Sequence, residues 1–165
     1  MDRPTELAES APEPRRGPTP TRPETQLGVL DDYIGFHLRQ AQNAAFRAFK
    51  RRTGDPDVRP GWFSVLALIG ANPGITPAFL SRASGRDKST LTPILRDLTH
   101  QRLIRRMPVA GDKRSYALAL TGAGDEKLAV LSAHAALHEH KLDAIAGARK
   151  AELLKVLRRI TALLD

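Results

Sequence analysis

The segment of residues 75–120 constrains the fold more than any other part of the chain. Thr76 and Pro77 predict the start of a helix, since a threonine oxygen can accept a bond from the first turn and proline fits the first helical position. The run of residues 84–86, Ser-Gly-Arg, ends that helix after a few turns. A longer helix follows over residues 88–102. Two helices joined by a tight turn that contains glycine predict a helix-turn-helix.

The longer helix has one apolar and one polar face. Asp87 or a neighbour is a candidate for its N-cap, and Pro93 predicts a slight kink because proline removes one backbone hydrogen bond. Its apolar residues recur every three or four positions, which is the spacing of a buried helical stripe. They are Leu91, Ile94, Leu95, Leu98 and Leu103.

A β-hairpin is predicted directly after this helix. Residues 103–107 read as one strand and residues 115–120 as another, because apolar and smaller residues alternate with a period of two. The link of residues 108–114 is short, contains glycine and ends in charged residues. A hairpin with a basic tip after a helix-turn-helix predicts a winged helix-turn-helix over residues 60–120.

Long helices are predicted on both sides of this segment. Residues 27–52 form one amphipathic helix, and residues 121–142 and 148–164 form two more, separated at Gly147. The apolar face of the last helix is wider than a small monomer needs, which is typical of a dimer interface. The predicted fold is therefore mainly α with a small β-hairpin, with dimerisation helices over residues 27–52 and 121–165.

The charge distribution indicates a polyanionic partner. The chain has 26 Lys and Arg against 18 Asp and Glu, a net charge of +8. Residues 76–120 alone hold nine basic and three acidic residues, a net charge of +6. Such a concentrated patch suits counterion release from a phosphate backbone. By contrast, residues 1–26 are rich in proline and poor in apolar side chains, so we expect a disordered arm; residues 27–165 form the domain.

Several classes of protein are disfavoured by what the sequence lacks. There is no cysteine, so disulfides and thiol-based redox sensing are excluded. No apolar run approaches the roughly 20 residues of a membrane span, and the start does not read as a signal peptide, so we expect a cytoplasmic protein. Neither a nucleophile elbow nor a phosphate-binding glycine loop occurs, so we expect no enzyme. His134 and His138 share a helical spacing, yet no third ligand completes a metal site, so no metal or cofactor is predicted.

Residues 87–98 resemble the recognition helix of the MarR family of bacterial transcriptional regulators. The stretch Leu103-Ile104-Arg105-Arg106 and the later stretch from Gly111 to Thr121 resemble the wing and next helix start of that family. The resemblance covers residues 27–165 in the same order of elements. It implies a homodimer whose two winged helices bind double-stranded DNA at a palindromic operator.

The resemblance also implies which side chains contact DNA. The recognition helix would face the major groove, with cations reaching guanine or phosphate and Thr or Pro meeting thymine methyl groups. Arg114 would enter the minor groove, oriented by an ion pair with Asp112. The full candidate set is Lys88, Ser89, Thr90, Thr92, Pro93, Arg96, Asp112, Lys113 and Arg114.

An effector pocket between the first helix, the second helix and the helix after the wing is a further implication. Residues 31–39 and 44–47 are similar to members that control hydroxycinnamate catabolism and respond to an aromatic acyl-CoA thioester. The basic residues Arg39, Arg47, Lys50, Arg51 and Arg52 are candidates for its phosphates. The candidate ligand-binding residues are Tyr33, Phe36, His37, Arg39, Gln40, Arg47 and Trp62.

Two hypotheses of function are open at this point. The first is a repressor that a small-molecule effector, such as a hydroxycinnamoyl-CoA, releases from its operator. The alternative is a winged-helix DNA-binding protein without an effector, in which His37 and Trp62 only pack and the arginines are solvated. Ligand-dependent loss of operator binding separates the two.

Overall fold

The computed structural model describes residues 25–55, 58–59, 61–109 and 111–164, with the backbone alone at residues 112–114. The predicted arm lies outside the described residues, apart from its last two positions. The chain divides into two units at the junction of His37 and Leu38.

The first helix is shorter than the sequence predicts. A 3₁₀ turn, Gly28–Asp32, comes before helix α1, Ile34–Thr53, in place of one continuous helix from residue 27. Tyr33 separates the two because its backbone is extended, with φ −91° and ψ 110°. The His37 imidazole Nε2 lies 2.6 Å from the carbonyl oxygen of Asp31, so a side chain of α1 holds the preceding turn in place.

The helix-turn-helix is confirmed. Helices α2, Trp62–Ala71, and α3, Pro77–Ser84, precede helix α4, Lys88–His100. Thr76 caps α3 by accepting a bond from the backbone of the first turn, and Gly85 ends the helix with φ +60°, a conformation that glycine adopts without strain.

Helix α4 ends two residues earlier than predicted. Arg102 has a positive φ of 57°, and the N–H of Leu103 donates back to the carbonyl of Leu98 at 2.9 Å. This left-handed residue and backward bond satisfy a terminal carbonyl and stop the helix at His100.

The hairpin is present, and its strands are longer than predicted. Strands β1, Ile104–Val109, and β2, Asp112–Leu120, pair antiparallel. The register shifts at Pro108/Val109, and Val109 then pairs with Asp112, so most of the predicted link belongs to the ladder. A register shift at proline is consistent with its missing N–H, which cannot donate to a ladder. The N–H of Leu118 donates to the carbonyl of Ile75 and the N–H of Gly74 donates to the carbonyl of Leu118, both at 2.9 Å, and these bonds fasten the hairpin to the loop before α3.

Two further helices follow the hairpin. Thr121 caps α5, Gly122–Ala146, by accepting a bond from the N–H of Gly124 at 3.0 Å. A 3₁₀ turn, Gly147–Arg149, then leads into α6, Lys150–Leu164, so the last helix starts two residues later than predicted.

The core lies between α2 and the elements packed on it. It contains buried residues of α2, α3, α4, β1, β2 and α5, together with Phe49 of α1. Helix α6 contributes none of the core residues and leaves large apolar side chains exposed. These are Leu153, Leu154, Val156, Leu163 and Leu164.

Across the described residues, no helix has the length and apolarity needed to cross a lipid bilayer.

Candidate nucleic-acid interface and cavity

Helix α4 has a buried apolar face and an exposed polar face, as its sequence pattern predicts. Leu91, Ile94, Leu95 and Leu98 are buried in the core. The six predicted contact residues of the same helix are exposed: Lys88, Ser89, Thr90, Thr92, Pro93 and Arg96. The helix therefore presents one continuous polar face to a partner.

Asp87 organises the first turn of this face. Its carboxylate accepts bonds from the Ser89 hydroxyl, from the Thr90 N–H at 2.8 Å and from the Thr90 hydroxyl at 3.0 Å. These bonds stabilise the charged form and lower the Asp87 pKa to about 2, the Ser89 hydroxyl having the largest effect. Asp87 is therefore ionised at neutral pH, and both hydroxyl hydrogens are directed to it.

The hydroxyl of Thr92 is also used within the helix. It donates to the carbonyl oxygen of Lys88 at 2.7 Å. Because three hydroxyls of the exposed face donate internally, Lys88 and Arg96 are the side chains best suited to donate bonds to a nucleic acid.

The hairpin carries further cations. Arg105 and Arg106 are exposed on β1, and the guanidinium carbon of Arg106 lies 4.5 Å from the centre of the Tyr116 ring. Residues 112–114 form the start of β2, next to Gly111. The side chains of Asp112, Lys113 and Arg114 are outside the described part, so their roles stay predictions.

A cavity of about 480 Å³ lies within the second unit, between α1, α5 and the start of α2. Phe46, Phe49 and Phe63 make much of its wall, and the rings of Phe49 and Phe63 are 6.0 Å apart. His138 lines the cavity from α5, with its ring 5.9 Å from that of Phe49. The remaining polar wall includes Gln42, Asn43, Arg59, Ser64, Arg86 and Glu139.

A basic groove of about 430 Å³ adjoins this cavity. Phe46 lines both, so the two share a wall. Arg47, Lys50 and Arg51 supply the cations of the groove at the end of α1. Asp55 is the acid at its edge and pairs with Lys127 of α5. A cavity walled largely by aromatic rings, next to three cations, can hold a molecule with an aromatic end and an anionic end.

The predicted ligand residues of the second unit lie in different environments: the groove, the core and the exposed surface of α1. Arg47 lines the groove, while Trp62 has no exposed surface and is part of the core. Arg39 and Gln40 are exposed on α1, before Gln42, the first cavity residue on that helix.

Three further predicted ligand residues belong to the N-terminal unit. Tyr33 is exposed, and Phe36 is half-buried. The Phe36 ring packs edge-on against the His37 ring at 5.4 Å.

Several cavity residues were not found by the sequence reasoning. The sequence groups His138 with His134 by helical spacing and does not indicate its place in the cavity wall. In the described part of the chain, no group of three His, Asp or Glu could hold a metal. Phe49 lies on the inward face of α1 and His138 on the inward face of α5. Helical periodicity within each helix could therefore have predicted that both side chains point inward. Arg59 and Arg86 lie in loops, where no periodicity reveals which side chains turn inward.

The fold and the polar face of α4 define a winged helix-turn-helix protein with an adjoining cavity. Residues 57–115 match the model of the MarR family. A protein of Thauera aromatica that is described as a transcriptional regulatory protein for the hcr operon is 32% identical over 135 residues, covering 81% of both chains. The chain belongs to the MarR family of DNA-binding transcriptional regulators.

Solved structures agree with this assignment. The transcriptional repressor CouR bound to a 23-mer DNA duplex is 30% identical, with a TM-score of 0.73 over 83% of this chain and 98% of that one. CouR bound to p-coumaroyl-CoA is 28% identical, with a TM-score of 0.72 over 83% and 97%. The PcaV regulator of Streptomyces coelicolor with its natural ligand has a TM-score of 0.75 over 82% and 96%, and at 21% identity it shows the fold alone.

Proposed function

We propose that the protein is a homodimeric repressor that an aromatic acyl-CoA thioester releases from a palindromic operator. The observation that carries this proposal is the shared Phe46 wall between an aromatic cavity and a groove with three cations. The proposal has four parts, which concern DNA, the dimer, the effector and the coupling between them.

The DNA-binding part relies on α4 and the hairpin. Lys88 and Arg96 donate bonds to base edges or phosphates, and Arg114 inserts into the minor groove with Asp112 orienting it. The exposure of the six α4 residues supports this assignment, as does the structure of a 30% identical repressor on a DNA duplex. A regulator of this kind acts in the cytoplasm, on the chromosome, without catalytic turnover or a resident cofactor.

The dimer part relies on the terminal helices. Five large apolar side chains of α6 are exposed in the single chain, with Leu164 at 81% and Leu163 at 72%. Burying them against a second copy would remove apolar surface from water, which favours association. The same argument extends to Ile34 at the start of α1, which is 69% exposed.

We expect the effector to bind in both the cavity and the adjoining basic groove. The aromatic acyl group occupies the cavity, whose volume lies in the range of roughly 300–1,000 Å³ that is common for small-ligand pockets. The CoA phosphates bind Arg47, Lys50 and Arg51 through charge-assisted hydrogen bonds. His138 is available to bond the polar end of the ring, and the Ser64 hydroxyl, which donates to the Gly61 carbonyl at 3.0 Å, can accept a bond from it. A related repressor bound to p-coumaroyl-CoA supports this ligand class.

For coupling, the ligand must bind more tightly to a form of the dimer in which the spacing of the two α4 helices does not match the spacing of the operator half-sites. A ligand shifts an equilibrium only by its differential affinity for the two states. A coupling of about 1–3 kcal/mol changes DNA affinity about 5- to 150-fold, which is enough for derepression.

The test is an anisotropy titration of the protein on a duplex from upstream of its own gene. Three arms add p-coumaric acid, p-coumaroyl-CoA and free CoA at equal concentrations. We expect the thioester to release the duplex at the lowest concentration, since only it fills both spaces. Equal potency of acid and thioester contradicts the CoA assignment, and no release by any aromatic compound favours the alternative of a DNA-binding protein without an effector.

A further inference from the structure

One buried donor in the cavity wall lacks a partner within the described part of the chain. The Nε of Arg86 is buried and makes no hydrogen bond there, although the residue lines the cavity. Buried N–H groups are nearly always paired, because leaving one unpaired costs free energy. Since this nitrogen is buried, an oxygen acceptor on a cavity ligand would satisfy the donor by shifting the guanidinium toward the cavity.

The Arg86 guanidinium packs against Gly61, where the chain has no side chain. A Cβ built on Gly61 would lie 2.7 Å from both Cζ and Nη2 of Arg86. Gly61 also has a φ of +88°, which other residues rarely adopt. The guanidinium therefore occupies space that only glycine leaves open, directly against the Gly61 backbone.

The backbone of Arg86 connects the cavity to both helices of the helix-turn-helix. Its N–H donates to the carbonyl of Ser81 in α3 at 3.1 Å, and its carbonyl accepts from the Ser81 hydroxyl. The next residue, Asp87, is the N-cap of α4. A displacement of Arg86 is thus transmitted to α3 and to the first turn of α4.

A second arginine joins the cavity to a later part of α4. Arg59 lines the cavity, and its Nη1 donates to Oδ2 of Asp97 at 2.8 Å. Arg59 is largely exposed, at 65%, so this pair is weaker than a buried one. The cavity wall is nevertheless connected to α4 at two positions, through Arg86 at its start and through Arg59 at Asp97.

We propose that Arg86 transmits binding in the cavity to α4: its Nε donates to the carbonyl oxygen of an aromatic acyl thioester and thereby displaces the turn between α3 and α4. This inference rests on the proposed effector function and adds the residue that couples effector to DNA. A free aromatic carboxylate offers the same acceptor chemistry, so both compounds are compared.

The experiment measures the ratio of operator Kd values with and without saturating p-coumaroyl-CoA, and in a parallel arm p-coumaric acid. The variants are Arg86→Gln, which removes the guanidinium, and Arg86→Lys, which keeps the charge without the planar donor. Arg102→Gln is the matched control, because the Arg102 side chain is exposed just beyond the end of α4 and is not part of the cavity wall, and its role in ending the helix belongs to its backbone. Ligand binding is followed separately through Trp62, the single tryptophan.

In the wild type and in Arg102→Gln, we expect the thioester to weaken operator binding by a factor within the usual range of about 5- to 150-fold. In Arg86→Gln the ratio of the two Kd values falls close to one at ligand saturation. Operator affinity without ligand changes much less than this ratio, because Arg86 is not one of the exposed α4 residues. Arg86→Lys gives an intermediate ratio. Thermal unfolding curves establish that each variant is folded.

Two results overturn the inference and are distinguishable. If the wild type is released by the thioester and both Arg86 variants, once saturated, are released by the same factor, Arg86 has no coupling role. If the wild type is not released by any aromatic compound, the proposed effector function fails and the inference fails with it.

Discussion

Asp87 accepts a 2.8 Å hydrogen bond from the backbone N–H of Thr90, and this bond closes the first turn of the recognition helix. The carboxylate also accepts hydrogen bonds from the hydroxyls of Ser89 and Thr90. The residues that would approach DNA are therefore ordered before DNA binds, which lowers the entropy lost on binding.

The first prediction concerns this cap. Asp87→Asn keeps an acceptor oxygen but loses the charge, so we expect a folded protein of lower stability at neutral pH. A pKa lowered to about 2 means that the wild-type advantage is fully present above the ordinary value of 3.8. The advantage disappears as the pH falls toward 2. Urea unfolding of both proteins at several pH values checks this, and a pH-independent difference would contradict it.

The second prediction concerns the wing and the recognition helix. Arg114→Ala should weaken binding across related duplexes by roughly 1–3 kcal/mol, whereas Thr92→Ala and Arg96→Ala should change which duplexes are preferred. Asp112→Ala should reproduce part of the Arg114 defect. Anisotropy on a panel of duplexes over a salt series measures both effects. An Arg114→Ala protein that binds like the wild type at every salt concentration would show that the wing assignment is wrong.

Much of the fold could be predicted from the sequence because its signals are local. Thr76, Pro77 and Gly85 mark the ends of α3 by their own backbone and capping chemistry, and the structure confirms them. The early end of α4 could not be predicted in this way, because it depends on a non-glycine residue, Arg102, with a positive φ. Likewise, the break at Tyr33 occurs inside an uninterrupted helical pattern.

The site was predictable only where it lies on one element. The polar face of α4 follows from helical periodicity alone. The cavity, in contrast, joins Phe63, Arg86 and His138 from separate parts of the chain, and their meeting depends on how α2 and α5 pack. Trp62 and Phe63 illustrate the difficulty: both are aromatic and adjacent, yet a helix turn of 100° per residue places one in the core and the other at the cavity.

The third prediction concerns the dimer. Leu154→Glu places a charge on the exposed apolar face of α6 and should shift the protein toward the monomer, because burying an unpaired carboxylate is costly. Lys155→Glu is the matched control on the exposed part of the same helix. Sedimentation velocity at micromolar concentration measures the shift. A stable wild-type monomer would contradict the dimer itself.

The fourth prediction concerns the basic groove. Arg51→Ala should lower the affinity for p-coumaroyl-CoA several-fold and leave the affinity for p-coumaric acid unchanged, since only the thioester carries phosphates. Arg52→Ala is the control, because Arg52 is adjacent in sequence yet is not a groove residue. Isothermal titration of both compounds into each variant provides the comparison. Equal losses in the two variants would mean that general positive charge, and not the groove, attracts the ligand.

The fifth prediction concerns the contact between α5 and the start of the hairpin. Gly124 lies against the backbone of Leu103, and a Cβ built on Gly124 would be 1.9 Å from the Leu103 carbonyl oxygen. Gly124→Ala must therefore push α5 away from the hairpin, at a cost of about 1–3 kcal/mol or more, as for other overpacked sites. Gly122→Ala is the control on the same turn of α5, since its Cβ meets no atom within 4 Å; it should be neutral or stabilise by about 0.4–1 kcal/mol. Denaturant unfolding of the two variants gives the free energies, and a Gly124→Ala protein as stable as Gly122→Ala would refute the close approach of α5 to Leu103.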